Sequence, residues 1–519
     1  MFAEFPLALR RYLRDRPALP LAENWARERI ENRPAALLRL LERSVYSVPP
    51  SPYRALLKRA GCELGDARAL VRGRGVDGAL RALRAEGVYV TYEEFKGRKP
   101  IVRGDVQLAV SERDFDNPGA RRNFSLSTGG STGLANKVFQ DLDHIAALAT
   151  FDMLAIAEHG MLDAPTVHWT HMLPGSGIRF ILRRAYHGDY RQDWFTPLGW
   201  RADSARLKDQ LGTFYMLCCM RACGVRAAFP REAEPSEAIV VARRIRRVLD
   251  TEGRCLFYAN VSQTVRAAVA AEESGFDLAG AAVFLSSEPL TPAKAERIER
   301  AGIRIITGYG SVETGAMGLG CARRARVDEV HLAMDAYALI DHPYEVPSIG
   351  VTVPAFNLTG LLDSAPKVML NYQSDDYGDV AAGPCGCGLE AHGYTTRLSN
   401  IRSYSKLVGE GVTLIGNELL RVIEEVLPAR FGGSPLDYQF MEREDARGLT
   451  RLVLCISPKV AVPDDAEAVR VVLDALARSS PMAASVKTVW QQAGTILIER
   501  REPVATARGK VLPLHIDRD

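Results

Sequence analysis

From about residue 105 onward the chain repeats one order: a short apolar or β-rich run, a loop of Gly, Ser and Thr, then a helical segment. Short apolar runs bounded by turn residues read as buried strands, and strands that alternate with helices read as a sheet covered by helices. Three units carry the pattern. They are "NFSLSTGGSTG" leading into a helix that begins near Leu142, "GAAVFLSSEPLTP" leading into "AKAERIERAG", and "IRIITGYGSVETG". The expected fold class is α/β. In an open sheet of this kind, loops at the carboxyl ends of strands converge on the ligand crevice, so these three loops are the first candidates for a binding site.

The flanks divide the chain. Residues 1–100 alternate Arg/Glu-rich faces with Leu/Ala stripes ("ALLRLLERSVYSV", "DGALRALRAEGV"), a helical lead-in expected to pack on a main domain at 101–402. Around 350–402 the chain turns Gly/Pro/Asp-rich with short β-like runs, as a small β unit closing that domain. Residues 403–519 change composition again. "NELLRVIEEVLP" and "AEAVRVVLDALARS" read as helices, and "TRLVLCISP", "SVKTVWQQ" and "TILIER" as strands, giving a smaller α+β domain.

Composition excludes several classes of partner. With 519 residues, 47% hydrophobic and 25% charged, the chain is an ordinary multidomain globular protein. Sixty-six basic against sixty-three acidic side chains leave +3, which provides no field for nucleic acid. The most apolar window, "HIAALATFDMLAIAEHG", is interrupted by Asp152, so no membrane span is expected. The N-terminal "MFAEFPLALRRYLRDRP" lacks the order of a secretory signal. Nine cysteines in such a chain suggest reduced thiols and a cytoplasmic location.

The first loop reads "STGGSTGLANK". Glycines at 129, 130 and 133 let a backbone approach a ligand, and Ser127, Thr128, Ser131 and Thr132 add hydroxyl donors of the kind a polyphosphate needs. It is not a Walker A loop, because three residues separate Gly133 from Lys137. After it come "SSEP" (Ser286 to Pro289), "GYGSVET" (Gly308 to Thr314), "NYQSDD" (Asn371 to Asp376), Arg402, and "ARGK" ending at Lys510. This ordered set resembles the adenylate-forming superfamily of acyl-CoA synthetases and peptide-synthetase adenylation domains, most closely its phenylacetate-CoA ligase branch. The resemblance covers about residues 100–515.

The resemblance implies a large N-terminal domain of mixed sheets flanked by helices, with a small β unit, and a smaller mobile C-terminal α+β domain. It implies ATP and Mg²⁺ as cofactors. Ser127, Thr128, Gly129, Gly130, Ser131, Thr132, Gly133 and Lys137 would cradle the phosphates; Ser287, Glu288, Pro289, Gly308, Tyr309 and Gly310 would line the nucleotide, with Tyr309 stacking on adenine. Glu313 would hold Mg²⁺, Asp376 would bind the ribose hydroxyls, and Arg402 would make a second ribose or phosphate contact before the hinge. Lys510 would be the catalytic lysine between the carboxylate and the α-phosphate. Departures fall at Val312, at Asp375 in place of a glycine, at Asn136 in place of a proline, and at Ser403 to Ser405, where the hinge acid is absent.

Cys385 and Cys387 lie in "GPCGCGLEAHG", and Cys321 and His331 in "GLGCARRARVDEVHL". In order they match the Cys, His, Cys-x-Cys set that some ligases of that branch use for structural Zn²⁺; a closed Cys₃His shell has no open position for catalysis. Cys218, Cys219 and Cys223 lie in a helical apolar context expected to be core. His168 and His171 border the segment expected to line an acyl pocket.

The expected function is an ATP- and Mg²⁺-dependent ligase that adenylates a carboxylic acid, aryl or small acyl, releases pyrophosphate and transfers the acyl group to coenzyme A. Two alternatives stay open. One delivers the acyl group to a carrier-protein thiol, a protein side chain or an amine; the other is a nucleotide-binding regulatory protein with reduced catalysis, suggested by Val312 and Asp375. Monomer and homodimer are equally compatible with the sequence.

Overall fold

A computed structural model describes residues 4–127, 137–188, 190–197, 204–346, 351–403, 406–409, 412–415, 421–445, 447–477, 487, 489–504 and 514–516. Thr128 to Gly133, Asn136 and Lys510 lie outside the described residues. The chain is α/β, with several sheets and interleaved helices.

Two sheets dominate. The first has six strands in the order Arg304–Ile306, Ala281–Ser286, Cys255–Asn260, Thr166–Trp169, Gln192–Thr196 and Arg231–Glu232, with every neighbouring pair parallel. Its central strands are buried along their length because both faces are covered. Successive side chains point to opposite faces, so Cys255, Phe257 and Ala259 enter one core with Val241, Ile245, Val265 and Ile298, while Leu256 and Tyr258 enter another with Phe151 and Phe180.

The second sheet has eight strands. Its order is Gly308–Ser311, Gly315–Leu319, Val330–Leu332, Thr396–Ser403, Tyr372–Ala382, Val351–Gly360 and Tyr337–Val346, all antiparallel, and Val90–Thr91 adds in parallel to Tyr372–Ala382. This β unit is larger than the stretch expected at 350–402, since it begins at Gly308. The Gly-rich composition that obscured it serves close backbone approach. A Cβ on Gly310 would lie 1.9 Å from the Gly315 carbonyl oxygen, so that hairpin closes only with glycine.

The first Gly/Ser unit is a hairpin apart from the parallel sheet: Phe124–Ser127 pairs antiparallel with Lys137–Gln140, and Asp141 caps the following helix Leu142–Glu158 by accepting from the Asp143 N–H. That helix, the most apolar window of the chain, is buried, and its Asp152 is paired with the buried Arg183 guanidinium. Among the described residues, no helix is long and apolar enough to cross a membrane.

Beyond residue 420, helical residues 421–431 and the helix Asp465–Ala477 pack on a four-stranded sheet ordered Ile496–Arg500, Thr450–Ile456, Tyr438–Glu444 and Leu514–Ile516. One expectation fails here. The described part of "SVKTVWQQ" is helical, because Val489, Trp490 and Ala493 are buried at the spacing of one helix face. The unit meets the parallel sheet's helices at Leu449, packed among them, with Thr291 Oγ1 donating to Glu444 (2.6 Å) and Lys294 Nζ to Thr450 Oγ1 (2.6 Å).

Candidate active site

The turn carrying Glu313 is held through its backbone. Ser311 and Thr314 bond each other across it: the Thr314 N–H donates to Ser311 Oγ (3.2 Å) and the Ser311 N–H to Thr314 Oγ1 (3.1 Å). Its carbonyls are gripped from outside. Arg179, on the helix Gly177–His187, donates Nη1 to the Val312 carbonyl (3.0 Å) and Nη2 to the Ser311 carbonyl (3.3 Å), and Gln140 Nε2 reaches Val312 as well (3.4 Å). The Thr314 carbonyl accepts from His144 Nε2 (3.1 Å) and from the Tyr337 hydroxyl. Burial lowers His144 to about 4, so the ring is neutral and Nε2 carries the donated proton. Val312 contributes its carbonyl to this clamp, which requires no side-chain hydroxyl at that position.

Arg179 is itself unusual. It is 7% exposed, and among the described residues no carboxylate lies within ion-pair distance, so burial lowers it to about 10. Among the described residues its hydrogen-bond partners are carbonyls of the Glu313 turn, with the Glu313 and Asp152 carboxylates acting on its charge from farther away. Nothing local in "SGIRFILRR" signals this role, since the partner is more than 130 positions away.

Glu313 is paired with a residue the sequence placed in the helical lead-in. Lys96 Nζ lies 2.6 Å from Glu313 Oε1 and 3.1 Å from Glu112 Oε1, with 5% of the lysine side chain exposed. Burial alone would raise Glu313, yet the Lys96 ammonium brings it down to about 2, so it is ionised at any working pH. The local fold explains the position. Val90–Thr91 joins the sheet beside Tyr372–Ala382, a capping box at Thr91 and Glu94 starts the short helix Tyr92–Phe95, and Phe95 packs on Tyr372 and Phe115 (ring centroids 4.5 and 4.7 Å). Gly97 then turns at φ +68°, where a Cβ would sit 2.9 Å from the Ser111 Cα, and so brings Lys96 against Glu112. This donor set does not suit Mg²⁺ on Glu313 Oε1, because that carboxylate oxygen already receives a buried ammonium.

The sheet brings two further expected residues together. Asp376 Oδ2 accepts from the Tyr309 hydroxyl at 2.8 Å, joining the hairpin at Gly308–Ser311 to the strand Tyr372–Ala382. The Tyr309 ring lies edge-on to Phe356 (6.4 Å, 65°). Arg402 stands opposite Tyr377 on the adjacent strand, one register position from Asp376, and donates to the Ile401 carbonyl. Asp375 keeps φ +35°, the left-handed region that glycine adopts freely and Asp tolerates, which accounts for both residue types at this point.

Ser127 is buried at the end of its strand opposite Lys137, which is exposed. In "SSEP", Ser287 has φ +73° and Glu288 turns back to accept from the N–H (3.1 Å) and hydroxyl (2.6 Å) of Ser262, in the first turn of the helix Val261–Glu273, so this carboxylate anchors the loop. Pro289 follows, half-buried. His168 is buried in the parallel sheet and bonded to Gln192 (2.9 Å). Cys218 is exposed and Cys219 and Cys223 half-buried, so the core expected of these three is wrong for Cys218: on the helix Ser204–Ala222 it falls on the outer face with Leu211 and Phe214.

Cys321, His331, Cys385 and Cys387 converge, with all four potential ligand atoms within 4.8 Å of one another. A tetrahedral zinc ion needs S···S edges of about 3.8 Å and S···N edges of about 3.6 Å. The Cys321 and Cys385 sulfurs are 3.6 Å apart, and Cys387 Sγ is 3.4 Å from His331 Nε2. His331 Nδ1 lies 2.6 Å from the Tyr394 carbonyl oxygen, which fixes its proton there and leaves Nε2 as the free ligand nitrogen. Glu390 accepts from the N–H groups of Cys385 (2.7 Å) and Gly386 (2.6 Å), closing the knuckle. The residues present fit the ion.

No family model matches the chain, and no curated protein matches it in sequence. Solved structures do match. A 2-hydroxyisobutyryl-CoA ligase, in complex with 2-HIB-AMP and CoA in its thioesterification state, aligns at 16% identity over 94% of this chain and 90% of that one, with a TM-score of 0.54. An o-succinylbenzoate CoA synthetase from Bacillus subtilis aligns at 11% identity over 79% and 72% (TM-score 0.44), and an amide bond synthetase from Marinactinospora thermotolerans at 12% over 92% and 92% (TM-score 0.40). Over nearly its whole length the chain shares the α/β fold of that 2-hydroxyisobutyryl-CoA ligase.

Proposed function

We propose that this protein is an ATP-dependent ligase that activates a carboxylic acid, aryl or small acyl, and transfers it to coenzyme A. A carboxylate oxygen attacks the α-phosphorus of ATP and expels pyrophosphate; a thiol sulfur then attacks the acyl carbon and expels AMP, its proton passing to solvent. The observation that carries this reading is the joining of distant motif segments. Gln140, the last residue of the Gly/Ser hairpin's second strand, bonds the Glu313 turn, and Tyr309, before that turn, bonds Asp376.

In this reading Ser127, Lys137 and the loop between them hold the phosphates, Asp376 takes the ribose hydroxyls with Arg402 beside it, and Gly308 to Gly310 border the nucleotide. Lys510 neutralises charge at the α-phosphate during adenylation. The Cys₃His cluster holds structural Zn²⁺, tying the segment after Glu313 to the strand that bears Asp376. The fold shared with a ligase that binds CoA supports coenzyme A as acceptor.

The test is carboxylate-dependent pyrophosphate exchange across a panel of acids. Lys510→Ala abolishes exchange and leaves ATP binding intact; unchanged exchange removes Lys510 from the mechanism. Product formation with coenzyme A as the only acceptor supports the thiol ligase, and turnover that stops at the adenylate until an amine or carrier protein is supplied replaces that half of the reading.

A further inference from the structure

We infer that the Lys96 ammonium is the resident cation of the Glu112–Glu313 carboxylate pair and stands where a divalent metal ion would otherwise bind. This goes beyond the proposed ligase activity and does not depend on it. The geometry is that of a bridging cation: one nitrogen lies 2.6 Å from one carboxylate and 3.1 Å from the other, in a site that leaves 9% of the Glu112 and 12% of the Glu313 side chain exposed.

The ammonium has little freedom to leave. Its backbone is fixed by Phe95, packed between Tyr372 and Phe115, and by the Gly97 turn against Ser111. Glu112 is held in turn by Lys367, whose Nζ donates to the Glu112 carbonyl (2.8 Å) and pairs with Asp116 (2.7 Å). A Mg²⁺ ion on Glu313 Oε1 would sit about 2.1 Å from that oxygen. Two cations would then share one small, largely dehydrated space, where their repulsion is weakly screened. Glu112 Oε2 is buried and accepts no hydrogen bond among the described residues, so the pair has donor capacity that the ammonium leaves unused. Removing the ammonium leaves two adjacent carboxylates with hard oxygen ligands, whose remaining cation among the described residues is Lys367, 3.8 Å from Glu112 Oε1 and shared with Asp116, a composition that binds Mg²⁺ or Mn²⁺.

The test is Mn²⁺ binding to the nucleotide-free full chain, followed by the EPR signal of free Mn²⁺. In the wild-type protein Glu313→Gln leaves the titration unchanged. Lys96→Met, or Lys96→Gln if the first does not fold by circular dichroism, gains one equivalent of Mn²⁺ per chain, and adding Glu112→Gln removes it. A wild-type Mn²⁺ site that Glu313→Gln abolishes overturns the inference, and so does a folded Lys96 variant that gains no Mn²⁺. Should neither Lys96 variant fold, the comparison of wild type with Glu313→Gln decides. Because no nucleotide is present, failure here leaves the ligase reading to be judged by pyrophosphate exchange alone.

Discussion

If the Cys₃His cluster holds zinc as proposed, removing the ion loosens the strands that the cluster ties together. Cys321 and Cys385 are 64 positions apart, and a cross-link closing a loop of that length restricts the opened chain by about 4 kcal/mol. The strands tied together are Gly315–Leu319, Val330–Leu332 and Thr396–Ser403, which adjoin the ligand residues in sequence or pair with their strands. Chelation, or Cys385→Ser, is therefore expected to raise the local opening equilibrium of these strands by about a thousandfold, the ratio that corresponds to about 4 kcal/mol. Amide hydrogen exchange read by mass spectrometry measures it directly. Protection in these three strands falls by that factor, while Cys255–Asn260 and Ala281–Ser286, in the parallel sheet, are unchanged. Elemental analysis gives the companion result of one zinc per chain. Folded protein without zinc, or exchange that chelation does not alter, refutes the reasoning.

Two other perturbations separate stability from function. Arg179→Met removes two charge-assisted hydrogen bonds worth roughly 1.5–3 kcal/mol each but also relieves a guanidinium whose depressed pKa of about 10 corresponds to roughly 3 kcal/mol. The net loss in urea unfolding stays within about 3 kcal/mol while pyrophosphate exchange falls at least about tenfold, because the Glu313 turn loses its clamp; exchange within twofold of wild type would exclude Arg179 as a positioning residue. Glu313 supplies a pH signature. Its folded pKa of about 2 lies below the ordinary carboxylate value, so its stabilisation, roughly 3 kcal/mol, is present above about pH 4.5 and is lost as pH falls toward 2. The stability gap between wild type and Glu313→Gln is constant from pH 8 to 5 and shrinks to about half by pH 3; a gap unchanged at pH 3 contradicts the Lys96 pairing.

The candidate site was legible in the sequence to the extent that its motifs are local. The Gly/Ser/Thr loop, the Glu313 turn and the Asp376 segment each carry their signal in a handful of adjacent residues, and the Cys-x-Cys pair, with Cys321 and His331, marked in sequence order the four side chains that converge. Other features were hidden by ambiguity of pattern. Val489, Trp490 and Ala493 read equally as a β-rich run or a helix face until burial distinguished them, and Cys218 shares an apolar neighbourhood with core residues while facing outward. The extent of the antiparallel sheet was obscured because Gly308, Gly310 and Gly315 contribute to pairing through the absence of side chains.

By itself the sequence determined the class of fold, through its alternation of strand, glycine loop and helix, and it named the groups to which the proposed function assigns phosphate, ribose and metal, through short local motifs. Tertiary structure alone decided the partners. Lys96 meets Glu313 across 217 positions, and Arg179 meets the same turn across more than 130. Such pairs have no period and no fixed spacing, because they arise where separately folded segments are pressed together and a buried charge must find its counter-charge or its carbonyl at whatever sequence distance the topology supplies.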